Sequence, residues 1–209
     1  MLFGNPSPQF LVAVAIAVVA GITVHEFSHA WVADRLGDHQ PRALGRVSLD
    51  PRRHIDPLGA LLFLLAGFGW GRPVPVNAYA LRPGRIGLVW VAGAGPLANL
   101  ALALATALVY RALLPIGADV LFALQVLYIV VSLNLILAVF NLLPIQPLDG
   151  YNLIIPLLPP RQQFWVARNA RYGAYLLLGV VLVSVIGQGG PLAWLFDLVD
   201  AVARVLIGA

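Results

Sequence analysis

His25-Glu26-Phe27-Ser28-His29 places two imidazoles four residues apart with a carboxylate between them. On a helix, positions four apart lie on one face, one turn from each other. Two imidazoles so placed can grip one zinc ion, and the glutamate between them can act as general base. The same pattern also fits two histidines that only hydrogen-bond within a helical bundle. That reading leaves Glu26 unexplained, because ionisable residues inside an apolar helix are costly and point to function.

A catalytic zinc takes three protein ligands and keeps a fourth position open. The chain has four histidines and no cysteine, so the third ligand is His39, His54 or a carboxylate. Without cysteine, disulfides and thiolate metal sites are excluded. Asp149 is the best candidate. It follows an apolar run, precedes Gly150, which permits close backbone approach, and stands beside Pro144 and Pro147, which break the helix there. A second reading stays open, in which Asp149 caps the helix that begins at Gly150. Asn99 and Asn141 also sit in apolar surroundings. Each reads either as hydrogen-bond glue between helices or as a contact to substrate or an oxyanion. His54 reads as a loop residue at a membrane surface, His39 as a solvated one, and Asp200 with Arg204 as a surface pair four residues apart.

The elements that must position these residues are apolar. Of 209 residues 60% are hydrophobic and 11% charged, against about 25% charged in an ordinary soluble domain. The runs 10–24, 86–110 and 120–140 read as membrane helices. The expected fold is an all-α polytopic membrane protein. It has about five to six membrane segments, with a short re-entrant segment and a β-hairpin between the first and second core helices. The first helix is expected over about 9–36. The stretch 57–69 is too short to span a bilayer. In 71–84, prolines and glycines exclude a regular helix, and valines alternate with prolines as in an edge-type hairpin or an extended loop. Spans follow over about 86–114, interrupted at 93–96, and 120–143. A short helix over 151–159, a basic loop, a span over 172–186 and a last segment over 191–207 complete the chain. That last segment either spans or lies in the interface. The whole reads as one membrane domain, 1–209, with a catalytic core over about 9–152 and accessory segments over 153–209. No cleavable signal sequence is expected, since a basic n-region is missing.

The net charge of +4 does not suggest nucleic acid. Eleven of the thirteen basic residues, all arginines, fall in the loops 35–53, 72–85 and 161–171. That is the pattern of topology-setting charge, and it puts these loops in the cytoplasm and the N-terminus outside.

Taken together, the H-E-x-x-H motif, Gly95-Pro96-Leu97-Ala98-Asn99, and Asn141-x-x-Pro144-x-x-Pro147-Leu148-Asp149-Gly150 resemble the site-2 protease family. These are zinc metalloproteases of regulated intramembrane proteolysis. The stretch from Asp50 to Pro57 and the Pro-Val-Pro-Val-Asn segment are similar to small members of that family. The resemblance implies one zinc ion held by His25, His29 and Asp149, with Glu26 as base and Asn99 and Asn141 lining the site. Val74, Val76 and Asn77 would pair with an extended substrate strand. It also implies single-span membrane substrates, such as anti-sigma factors or signal-peptide remnants, and an active site towards the cytoplasmic face of a prokaryotic cell membrane. PDZ and CBS domains do not fit in this length. Two other readings remain: a divalent-metal transporter, or a zinc-binding relative without catalysis.

Overall fold

A computed structural model describes residues 7–66, 69–186 and 190–208. The helices are α1 (Pro8–Arg35), α2 (Gln40–Ala43), α3 (Pro57–Ala66), α4 (Arg85–Leu113), α5 (Leu121–Asn141), α6 (Asp149–Ile154), α7 (Pro160–Asn169), α8 (Gly173–Ile186) and α9 (Ala193–Ile207). Short 3-10 turns join several of them. Among the described residues, two continuous helical stretches are long and apolar enough to cross a membrane, Pro8–Arg35 and Arg85–Asn141. The second reverses at Leu114–Val120, where Gly117 adopts a φ of 80° and separates α4 from α5.

Helices α1, α4 and α5 pack on one another and carry the site. Helix α1 begins cleanly because the Ser7 hydroxyl accepts the Phe10 N–H at 3.2 Å and Pro8 occupies the first turn, where no N–H is needed. Small residues let the axes approach: Ala13 and Ala17 of α1 meet Ile129 and Val130 of α5. Ala103 and Ala107 of α4 meet Val131 and Leu135. Helix α9 joins this second cluster through Leu195, Val199, Ala203 and Ile207, a fourfold spacing that presents one face to α4 and α5. Its outward Asp200 pairs with Arg204 at 2.9 Å and accepts the Tyr128 hydroxyl at 3.2 Å.

The structure departs from the sequence expectations in four places. Helix α4 is not interrupted at 93–96 but runs through Pro96, a buried residue inside it. The basic stretch after Pro159 is a helix, α7, with Pro160 at its first position. His54 is fully buried, and its Nε2–H donates to the Ser48 carbonyl at 2.6 Å. The β-hairpin does not form: among the described residues the pairing is a single antiparallel bridge between Ile55 and Gly71. It cannot lengthen because Pro51–Arg53 turns into a 3-10 helix on one side. On the other, Pro73 and Pro75 have no N–H to give. Of the expected apolar stretch 57–69, α3 covers Pro57–Ala66, while Gly67 and Phe68 lie outside the described residues. Its ten residues rise about 15 Å, half of a ~30 Å hydrocarbon core.

Candidate metal centre

His25 and His29 sit on the buried face of α1, each 7% exposed. The carboxylate of Asp149 reaches them from the start of α6, 120 residues away in the chain. Leu148 is the residue preceding that helix, and the Asp149 side chain caps nothing there. Its Oδ2 stands 3.0 Å from His25 Nε2 and 3.2 Å from His29 Nε2, and the two Nε2 atoms are 3.1 Å apart. The approach of α6 depends on Gly150, where a β-carbon would collide with the Leu142 carbonyl group.

The tautomers of both histidines follow from their other ring nitrogens. His29 Nδ1 lies 2.7 Å from the Val91 carbonyl, which only accepts, so Nδ1 carries the proton. His25 Nδ1 lies 2.6 Å from Asn99 Oδ1. The orientation of that amide is fixed at its far end: Asn99 Nδ2 donates to the Gly21 carbonyl at 3.1 Å and to Asn134 Oδ1 at 2.7 Å. Asn134 Nδ2 in turn donates to the Val130 carbonyl at 2.8 Å. Backbone carbonyls of α1 and α5 therefore set two amide orientations, and these set the proton on His25 Nδ1. Both Nε2 lone pairs and a carboxylate oxygen are left facing one point.

Three acceptors at such distances repel one another unless a cation lies between them. The donor set, two imidazoles and one carboxylate, suits zinc. Ligands of a tetrahedral zinc at about 2.0–2.1 Å stand roughly 3.3 Å apart, close to the spacings found. Among the described residues, His25, His29 and Asp149 form the group that can hold a metal ion. Gly95 of α4 backs this group: a β-carbon there would stand 2.6 Å from His25 Cε1.

A cavity of about 660 Å³ opens on the site. Glu26 lines it together with the three ligands, as do Asn141, Trp70, Gly71, Val74 and Val76. Asn141 donates one amide N–H to the Leu137 carbonyl at 2.9 Å. Asn99, by contrast, is fully buried behind His25, whose Nδ1 it meets, and is not among the residues that line the cavity. Asn77 holds its place through its backbone N–H, which donates to Asp38 Oδ2 at 2.7 Å. His39 hydrogen-bonds Asp34 at 3.0 Å, remote from the ligands, with a largely exposed side chain. Asn134 is the residue that sequence reasoning missed. Its signal was a lone amide within Val131-Ser132-Leu133-Asn134-Leu135, a polar group too costly for an apolar helix without a partner.

Replacing Asn99 with alanine strips His25 of its orienting acceptor. Loss of such an outer partner lowers metal affinity by about 10–100-fold, and competition against a chelator of known affinity measures it. Asn134→Ala is expected to act in the same direction and more weakly. Unchanged affinity in Asn99→Ala would leave this residue a packing role only.

The fold and site together define a helical protein that holds, among the described residues, a group of two histidines and one aspartate able to bind a metal ion, the donor set of zinc hydrolases. Comparison with known proteins carries this further. The chain is 39% identical over 178 residues to "Putative zinc metalloprotease YwhC" of Bacillus subtilis, covering 83% of this chain and 81% of that protein. It is 37% identical over 204 residues to "Putative zinc metalloprotease Rip2" of Mycobacterium tuberculosis, covering 91% and 77%. The Rip2 protein of Mycolicibacterium smegmatis is 31% identical over 202 residues. No family model matches the chain, and no solved structure matches it. The chain belongs to the family of these relatives, the site-2 protease-like zinc metalloproteases.

Proposed function

We propose that the chain is a zinc endopeptidase that cleaves membrane-spanning protein substrates within the bilayer or at its edge. The observation that carries this reading is the convergence of three metal-binding atoms on a cavity that also holds Glu26. His25, His29 and Asp149 would hold the ion. Bound zinc would lower the pKa of a water molecule and polarise the scissile carbonyl. Glu26 is next to His25 and about 100° around the helix from it, so its carboxylate lines the cavity without joining the ligands. It takes the proton of the attacking water and returns it to the leaving amine. Asn141 lines the cavity, and its second amide N–H would donate to the developing oxyanion.

A membrane setting is supported by what α4 leaves uncovered. Trp90, Leu97, Leu104 and Leu108 are each at least half exposed, a surface that suits lipid. A helical substrate has its carbonyls engaged and must unwind before attack. The extended segment 72–77 supplies an edge for the unwound strand, with the Val74 and Val76 N–H groups as donors. The natural substrates would be single-span membrane proteins.

Arginine placement supports an orientation with 35–53 and 161–171 in the cytoplasm. The chain has no native cysteine, so introduced ones report cleanly. Ile116→Cys is expected to react with an impermeant thiol reagent added outside cells, and Gln162→Cys only after permeabilisation. The opposite pattern would invert the topology. The function itself is tested with purified protein in proteoliposomes, a panel of tagged single-span substrates and a Glu26→Gln control.

A further inference from the structure

Two buried charges that take no part in metal binding hold the ends of the extended segment 72–77. At one end the Arg46 guanidinium, 6% exposed, donates to the Arg72 carbonyl. The Arg72 N–H donates to the His54 carbonyl at 2.6 Å. At the other end Asp38, 2% exposed, accepts the Asn77 N–H at 2.7 Å and the Gln40 N–H at 3.1 Å. Leu81, packed against Ala33 and Val91, and the Arg82 N–H, bonded to the Leu36 carbonyl at 2.8 Å, secure the chain beyond. Between the anchors, among the described residues, no backbone hydrogen bond is made by residues 73–76. Burying two charged side chains to hold a six-residue stretch is expensive, and the stretch has no ladder of its own to stabilise. What it gains is a fixed position beside Glu26: Val74 and Val76 line the same cavity. Burial lowers the Arg46 pKa, an effect the Glu26 carboxylate opposes and Arg72 adds to; the guanidinium is thus within electrostatic reach of the proposed base.

We propose that Asp38 and Arg46 are positioning residues that fix the register in which a substrate strand lies against segment 72–77, and so select the bond cut. This rests on the strand-pairing reading given above. In an extended chain, alternate residues share an edge. Proline removes the donors at 73 and 75, which leaves Val74 and Val76 as a pair two residues apart. A strand that slips against this pair keeps its edge only in steps of two residues.

The test uses the full-length protein in proteoliposomes and a tagged single-span substrate that the wild type cleaves at one bond. Products are mapped by mass spectrometry. Asp38→Ala and Arg46→Ala are expected to raise KM about tenfold, the equivalent of one charge-assisted hydrogen bond. They should also add cuts two residues from the main one, with zinc content retained. Asp38→Asn keeps an oxygen for the Asn77 N–H while giving up the acceptor for the Gln40 N–H, and should restore the single cut. Should Asp38→Ala fail to fold, Asn77→Pro removes the hydrogen bond to Asp38 from its exposed side and carries the same expectation. A single cut at unchanged KM in the zinc-loaded variants overturns the proposal. Val74→Pro tests the underlying reading separately: it deletes a pairing donor between the anchors. If it leaves KM unchanged, strand pairing fails. If it raises KM while the anchor variants cut as wild type, only the positioning role fails.

Discussion

Glu26→Gln is expected to lower peptide cleavage by about 10²–10⁴-fold, the usual contribution of a general base, and towards the upper end because the same carboxylate serves both water and leaving amine. The substitution keeps size and hydrogen-bonding capacity but removes the ability to take a proton. Zinc content should stay at wild-type level, because the three metal-binding atoms belong to His25, His29 and Asp149. Helix α1 should be unaffected, since Glu26 faces the cavity. The separation of chemistry from metal binding distinguishes the competing readings. A divalent-metal transporter has no need of a proton acceptor at this point and would still move metal. A zinc-binding relative without catalysis would show no wild-type cleavage to lose. Near wild-type cleavage by Glu26→Gln, with contaminating proteases excluded, would overturn the mechanism. A zinc-free variant would instead make Glu26 part of the metal site.

The grouping of His25 with His29 was readable because its signal is one of type and spacing: two imidazoles one helical turn apart share a face whatever else the chain does. Asp149 read as ligand or helix cap alike from its position, and the family resemblance singled it out. The long helices were readable from residue type and spacing as well: α1, α5 and α8 lie within two residues of their expected bounds. What was not readable depends on partners far away in sequence. The amide orientation of Asn99 is set by carbonyls at Gly21 and Val130 and by Asn134, none of which its own neighbours reveal. Arg46 and His54 look like loop residues, yet folding of the 36–56 connector against 71–82 buries them. For 71–84 the alternation of valine and proline left a hairpin and an extended loop both open, and donor supply decides between them. Prolines at 73 and 75 leave a segment that lacks the donors to build a ladder of its own. The helix α7 was announced by Pro160, a common first-turn residue, and its arginines drew the reading towards a loop instead.

Removing Asp149 is expected to have the second large effect, visible without any substrate. His25 and His29 come from one helix and constrain each other already. Asp149 comes from α6, so a bound ion ties α6 to α1 across 120 residues of chain. A ligand that binds only the folded protein stabilises it by RT ln(1 + [L]/Kd). With zinc at a thousand times Kd the gain is about 4 kcal/mol, and a hundredfold weaker site retains about 1.4 kcal/mol. Outer-shell partners alone account for about 10–100-fold in affinity, so loss of a direct ligand should reach at least that range. At a hundredfold loss the zinc-dependent rise in Tm of the purified protein should therefore fall to about a third in Asp149→Ala, and equally in His25→Ala and His29→Ala. Asp34→Ala is the control. Asp34 lies on the same helix as the histidines, but its carboxylate pairs with Arg42 and His39, so its zinc-dependent shift should match wild type even if its baseline Tm falls. Full zinc response and full cleavage in Asp149→Ala would overturn the ligand set. His54 does not belong to the group of residues whose ligand atoms converge on one point, so for it to replace Asp149 a different arrangement of the fold would be required.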